Sequence, residues 1–128
     1  MKVGISLFNY TFEEVDQILT NGKRVLHWIE GGAVGLVSHF MNPNYFFFKF
    51  LNGERMVGIG WIYDLDIEPL VGVLVWERIE NFRELLEIVK KLFKIEIFKV
   101  AIDKPNNLLA KRLIDKLDLK EVNYGWEK

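Results

Sequence analysis

The chain has 128 residues, half of them hydrophobic and 27% charged, with a formal net charge of -1 and no cysteine. Residues 1–128 fit a single domain whose core can stand without disulfide staples. The composition excludes a disordered, collagen-like or coiled-coil chain, a disulfide scaffold, a thiolate metal site and a Cys nucleophile. Near-zero net charge supplies no field to gather nucleic acid or an anionic membrane. The longest apolar runs, such as Met56–Tyr63 and Leu70–Trp76, fall far short of the ~20 residues a spanning helix needs. Met1-Lys2-Val3-Gly4 lacks the apolar stretch of a signal peptide, so the expectation is a cytoplasmic protein.

In chain order, Val3–Phe8 carries β-formers and reads as a first strand. Thr11-Phe12-Glu13-Glu14 opens a helix, with Thr11 as cap and Glu14 reaching back to complete a capping box. Phe12, Val15, Ile18 and Leu19 form its apolar face, and Asn21-Gly22 ends it. Arg24–Glu30 reads as a short continuation, and Gly31, Gly32 and Gly35 leave the next stretch ambiguous. From Tyr45 the pattern turns to β. Tyr45–Leu51, the turn signal Asn52-Gly53, a return strand Met56–Leu65 and a third strand Leu70–Trp76 read as an antiparallel meander. Asn81 then caps an amphipathic helix, with Glu84 at the capping-box position and Phe82, Leu85, Leu86, Val89, Leu92 and Phe93 on one face. Ile95–Ile102 is a strand buried on both sides, Leu108–Leu117 a further helix and Glu121–Trp126 a last strand. Strand, helix and strand over Leu70–Ile102 should form a right-handed parallel crossover.

Several residue groups bear on chemistry. Asp64, Asp66 and Glu68 alternate along an extended segment, a pattern that suits a strand's solvent face better than a metal site. His27 and His39 lack the further ligands that zinc requires, so no metal is expected. Basic residues outnumber acidic ones between Lys90 and Lys116, as on the solvated faces of helices. Arg78-Ile79-Glu80-Asn81-Phe82-Arg83 places two guanidinium groups beside a helix N-terminus, where backbone N–H groups and the helix dipole favour an anion. Glu77, Glu80 and Glu84 oppose it.

The element order and two segments together carry a family resemblance. After the strand ending at Asp103, Asn107, Ala110 and Leu113 match one motif, and Arg78 with the following helix start matches another. On these the chain resembles the GNAT family of N-acetyltransferases. Asn81 stands where that family's pyrophosphate loop has its first Gly, and Arg83 where it has a second small residue. Ile114, Asp118 and Leu119 stand where the family often has Tyr, Gly and Phe.

The resemblance implies an α/β fold: a GNAT-like mixed, mostly antiparallel sheet with a parallel β-α-β crossover and flanking helices. It implies acetyl transfer from acetyl-CoA to a primary amine on a small molecule or a protein, without nucleic acid or membrane. The pantetheine arm would pair with the backbone of Leu74, Val75 and Trp76 and pass near Asn107. The pyrophosphate would lie between Arg78 and Arg83 at Asn81, with weak or absent binding because of the nearby glutamates. Ile114 cannot protonate a leaving thiolate; Tyr63 and Tyr124 could do so only if the fold brings them close. Glu77 and the Asp64–Glu68 group are the visible base candidates, and no catalytic residue is assigned. The alternative is a catalytically degenerate GNAT-fold binding or structural protein with a protein partner, of the kind found among phage-encoded products.

Overall fold

A computed structural model describes residues 2–29, 31–63, 70–94, 99–102 and 120–123. Its elements are β1 (Gly4–Leu7), α1 (Phe12–Asn21), a 3₁₀ turn (Leu26–Trp28), α2 (Gly32–Phe40), β2 (Tyr45–Asn52), β3 (Arg55–Tyr63), β4 (Leu70–Val75), α3 (Phe82–Phe93), β5 (Lys99–Ile102) and β6 (Lys120–Asn123). The strands form one six-stranded sheet in the order β1-β2-β3-β4-β5-β6. The pairs from β1 to β4 are antiparallel, and β4–β5 and β5–β6 are parallel. This is the mixed sheet with a parallel crossover that the sequence led us to expect. The expected helix Leu108–Leu117 and the segment 95–98 lie outside the described residues.

Alternation along the central strands supplies both faces of the sheet with core. Phe48, Phe50, Val57 and Ile62 pack with Phe82, Leu85, Leu86 and Val89 of α3. Phe47, Met56, Ile59, Trp61 and Leu74 pack on the other face with Ile18 of α1, Leu36 of α2 and Leu26 of the 3₁₀ turn. Every residue of β3 from Met56 to Ile62 is buried, as its unbroken apolar run requires of a strand covered on both faces. Two glycines of these strands, Gly60 and Gly72, make room for rings from the neighbouring strand. A Cβ at Gly72 would lie 2.1 Å from the Trp61 indole, and one at Gly60 would lie 2.3 Å from the Phe48 ring.

Local expectations are refined in three places. The short helix expected over Arg24–Glu30 is a 3₁₀ turn at Leu26–Trp28, and the glycine-rich segment beyond it, which the sequence left ambiguous, is the helix α2. Gly31, at φ 82°, makes the left-handed entry into α2, and it packs so closely on Gly35 that a Cβ would sit 3.2 Å from its Cα. The hairpin pairs Asn52 with Arg55, so its central residues are Gly53 and Glu54 rather than Asn52 and Gly53. Gly53 alone has positive φ, as in a turn with Gly at its first central position. On α1, Ile18 is fully buried, whereas Phe12 is 82% exposed and Leu19 lies at the rim. The helix enters the core at a later turn than its apolar spacing suggests.

The Thr11–Glu14 capping box forms as expected and is part of a larger cluster. Glu14 Oε1 accepts hydrogen bonds from Asn9 N, Thr11 N and Thr11 Oγ1, at 3.0, 3.0 and 3.1 Å. Thr11 Oγ1 accepts in turn from Glu14 N at 3.2 Å. Glu14 Oε2 accepts from Lys49 Nζ of β2, forming an ion pair between two largely buried side chains. One carboxylate thus joins the β1–α1 turn, the start of α1 and the middle of β2. Burial pushes the Glu14 carboxyl up, but the bond from Lys49, those from Thr11 and the Lys49 charge outweigh it and hold it below the usual carboxylate range.

A carboxyl whose folded pKa is lowered stabilises the fold above its unfolded value, about 4.3, and loses that contribution as pH falls through the folded value. Glu14→Gln should therefore cost about 3 kcal/mol at pH 7, the order expected when one member of a buried ion pair is removed. Urea denaturation at stepped pH checks this. The gap between wild type and variant should close as the medium is acidified below the normal carboxylate range. A gap independent of pH would contradict it.

Candidate functional site

The two sides of β4 are held differently. Toward β3 the ladder runs along the whole strand, from Leu70–Tyr63 to Val75–Gly58. Toward β5 it consists of Leu70–Lys99 and Val71–Val100 among the described residues. β5 meanwhile stays paired with β6 from Lys99 through Ile102. Among the described residues the sheet therefore divides after Val71, and Gly72–Val75 runs on without a β5 partner.

Register settles which groups face the split. Trp76 donates its N–H to Val57 O at 3.0 Å, on the β3 side. Successive residues of a strand turn their backbone groups to opposite edges. With Leu74 opposite Ile59 and Gly72 opposite Trp61, Leu74 and Gly72 also address β3. Val73 and Val75 thus present their N–H and C=O groups to the split. Their side chains pack against the α3-side core, and Leu74 is buried on the other face. Of Leu74, Val75 and Trp76, only Val75 offers backbone groups to the split, and Val73, which the sequence analysis did not single out, joins it. Strand alternation counted back from Trp76 was the signal that could have identified it.

The open end of β4 is fastened to β3 at a bulge. The β2–β3 register shifts between Phe50 and Leu51, which makes Val57 an extra residue. Val57 O accepts from Trp76 N and also from Glu77 N at 3.4 Å. The Trp76 indole Nε1 donates to Met56 O at 3.2 Å, and its ring lies where a Cβ on Gly22 would fall, 2.8 Å from it. Trp76 thereby ties β4 both to β3 and to the end of α1. Glu77, a base candidate from the sequence, is ion-paired with Arg55 at 2.8 Å. Tyr63 ends β3 opposite Leu70, where β4 and β5 are still paired, and its ring lies 4.5 Å from that of Tyr45. Tyr45 in turn stacks on His39 at 4.3 Å, and burial lowers the His39 pKa. Asn107, Ile114, Tyr124 and the Asp64–Glu68 group lie outside the described residues.

At the start of α3, the sequence expected Asn81 to cap the helix through its side chain with Glu84 completing a box. Asn81 does occupy the cap position, but its φ and ψ, -97° and 33°, lie away from the extended capping geometry, and its side chain makes no cap bond. The side-chain amide pairs instead with the backbone of Val3. Oδ1 accepts from Val3 N at 3.2 Å, and Nδ2 donates to Val3 O at 2.9 Å. Glu84 turns to Lys2 at 3.4 Å. The segment before β1, with Val3 buried in the α3-side core, therefore claims both side chains. Arg78, Glu80, Arg83 and Glu84 are all exposed around this helix start, so guanidinium and carboxylate groups share it.

Asn81→Gly should cost about 2 kcal/mol, since it removes two hydrogen bonds from the junction of β1 and α3. Urea midpoints of wild type and variant provide the check. An unchanged midpoint would show that the Val3 pairing contributes nothing.

No family model matches the chain, and no curated protein matches it. Solved structures do. A possible acetyltransferase from Clostridium difficile 630 superposes over 100% of this chain and 97% of its own, with a TM-score of 0.61 at 13% identity. The Campylobacter jejuni N-acetyltransferase PseH does so over 91% of this chain and 86% of its own, with a TM-score of 0.56 at 15% identity. At such identities the likeness concerns the backbone fold alone. The chain has the fold of the GNAT-type acetyltransferases.

Proposed function

We propose that the protein is a GNAT-type N-acetyltransferase that uses acetyl-CoA to acetylate a primary amine. The observation that carries this reading is the open edge of β4. Val73 and Val75 offer a donor and an acceptor each along a strand released by its parallel neighbour. An extended chain bearing amides, such as a pantetheine arm, can pair there as an added strand would. The exposed start of α3, with Arg78 and Arg83, suits the pyrophosphate at the open end of the same split. Asn107 remains assigned to the pantetheine arm on the family resemblance.

In the proposed reaction the amine nitrogen forms a bond to the thioester carbonyl carbon and the carbon–sulfur bond breaks. The amine gives up a proton and the thiolate gains one. A backbone N–H at the β4 edge would polarise the carbonyl. Glu77 Oε1 accepts a hydrogen bond from Arg55 Nη2, and no catalytic base is assigned. A second reading, a binding protein on the same fold, draws support from Asn81, whose side chain is committed to Val3 where the family has a small residue.

Calorimetric titration with acetyl-CoA separates the two. The enzyme reading expects a dissociation constant of roughly 1 mM or tighter, together with a rise in melting temperature. It also expects Arg78→Ala and Arg83→Ala each to weaken binding by about fivefold, as loss of a charge-assisted contact does. Neither heat nor thermal shift at millimolar ligand would overturn it in favour of the binding protein.

A further inference from the structure

We propose that Trp76 is a positioning residue that holds the open edge of β4 in place through its indole N–H. The inference rests on the reading of β4 as a ligand-pairing strand, and the Trp76 contacts themselves are independent of that reading. A strand paired on both sides is kept in register by its neighbours. Among the described residues β4 has no β5 partner after Val71, and its last residues are paired with β3. On that side the ladder meets the Val57 bulge, which leaves one carbonyl serving two N–H groups, Trp76 N at 3.0 Å and Glu77 N at 3.4 Å. A shared acceptor at a bulge is a weak terminus for a strand.

The indole supplies what the ladder lacks. Its Nε1 donates to Met56 O at 3.2 Å, one residue before the bulge, so β4 is clamped on both sides of the irregularity. The ring also packs on Gly22, which links the clamp to α1. Val75, whose backbone groups face the split, immediately precedes Trp76 and moves with it. A ligand pairing with Val73 and Val75 then meets an edge already set, and forfeits less binding energy in ordering it.

Trp76→Phe tests this, because it removes the N–H donor and keeps a smaller aromatic ring at the position. Amide hydrogen exchange in the ligand-free protein should accelerate by about fivefold at Leu74 and Trp76, which address β3, and remain unchanged at Leu85 and Val89 of α3. Coenzyme A, titrated calorimetrically into both proteins, should bind the variant about fivefold more weakly. Exchange that is unchanged, or that accelerates equally in β4 and α3, would overturn the proposal by showing no role or a general stabilising one. Equal coenzyme A affinity in the two proteins would also overturn it. If the wild type binds no coenzyme A, the proposed function fails, whereas the exchange pattern still decides whether Trp76 sets the edge.

Discussion

The structure depends on a strand that is bound along one edge and released along the other. β4 keeps its ladder to β3 from Leu70 to Val75, and among the described residues its ladder to β5 stops at Val71–Val100. Backbone polar groups ordinarily find partners within a sheet, so a run such as Val73 and Val75 facing a split is a place where a ligand can take the missing strand's role. The central strands can afford this division because β3 beside them is buried on both faces and paired on both edges.

The rest of the molecule braces that arrangement from its two faces. On one face, Glu14 gathers the β1–α1 turn, the first turn of α1 and Lys49 of β2 onto one carboxylate, and the far end of α1 meets the Trp76 ring at Gly22. On the other, α3 is fixed by its buried stripe and by the pairing of Asn81 with Val3. Asn81 illustrates a conflict of roles. Its amide secures the β1–α3 junction at the position where a pyrophosphate loop favours a small residue.

Much of this fold could be read in the sequence, because its main signals are periodic. The β3 run from Met56, the aromatic run before it, the stripe of α3 and the Thr11–Glu14 box all specify local geometry with residues close in sequence. The parallel crossover followed from the order of those elements. What could not be read rests on partners far apart in the chain. Asn81 looked like a cap because caps are local, whereas its actual partner, Val3, is 78 residues away. Lys49 gave no sign of Glu14, and the Gly31–Gly35 cluster concealed a helix because close backbone packing and a flexible linker have the same composition. The division of the sheet after Val71 leaves no trace in residue type, since backbone pairing requires none.

The most direct test of this account is a nuclear magnetic resonance titration of the labelled protein with acetyl-CoA, followed at the backbone amides of β4. Alternation predicts the largest shifts at Val73 and Val75, with much smaller ones at Gly72 and Leu74, whose N–H groups address β3. Shifts of equal size at consecutive residues, or confined to other elements while β4 stays unmoved, would contradict the claim that the released edge of this strand is the binding site.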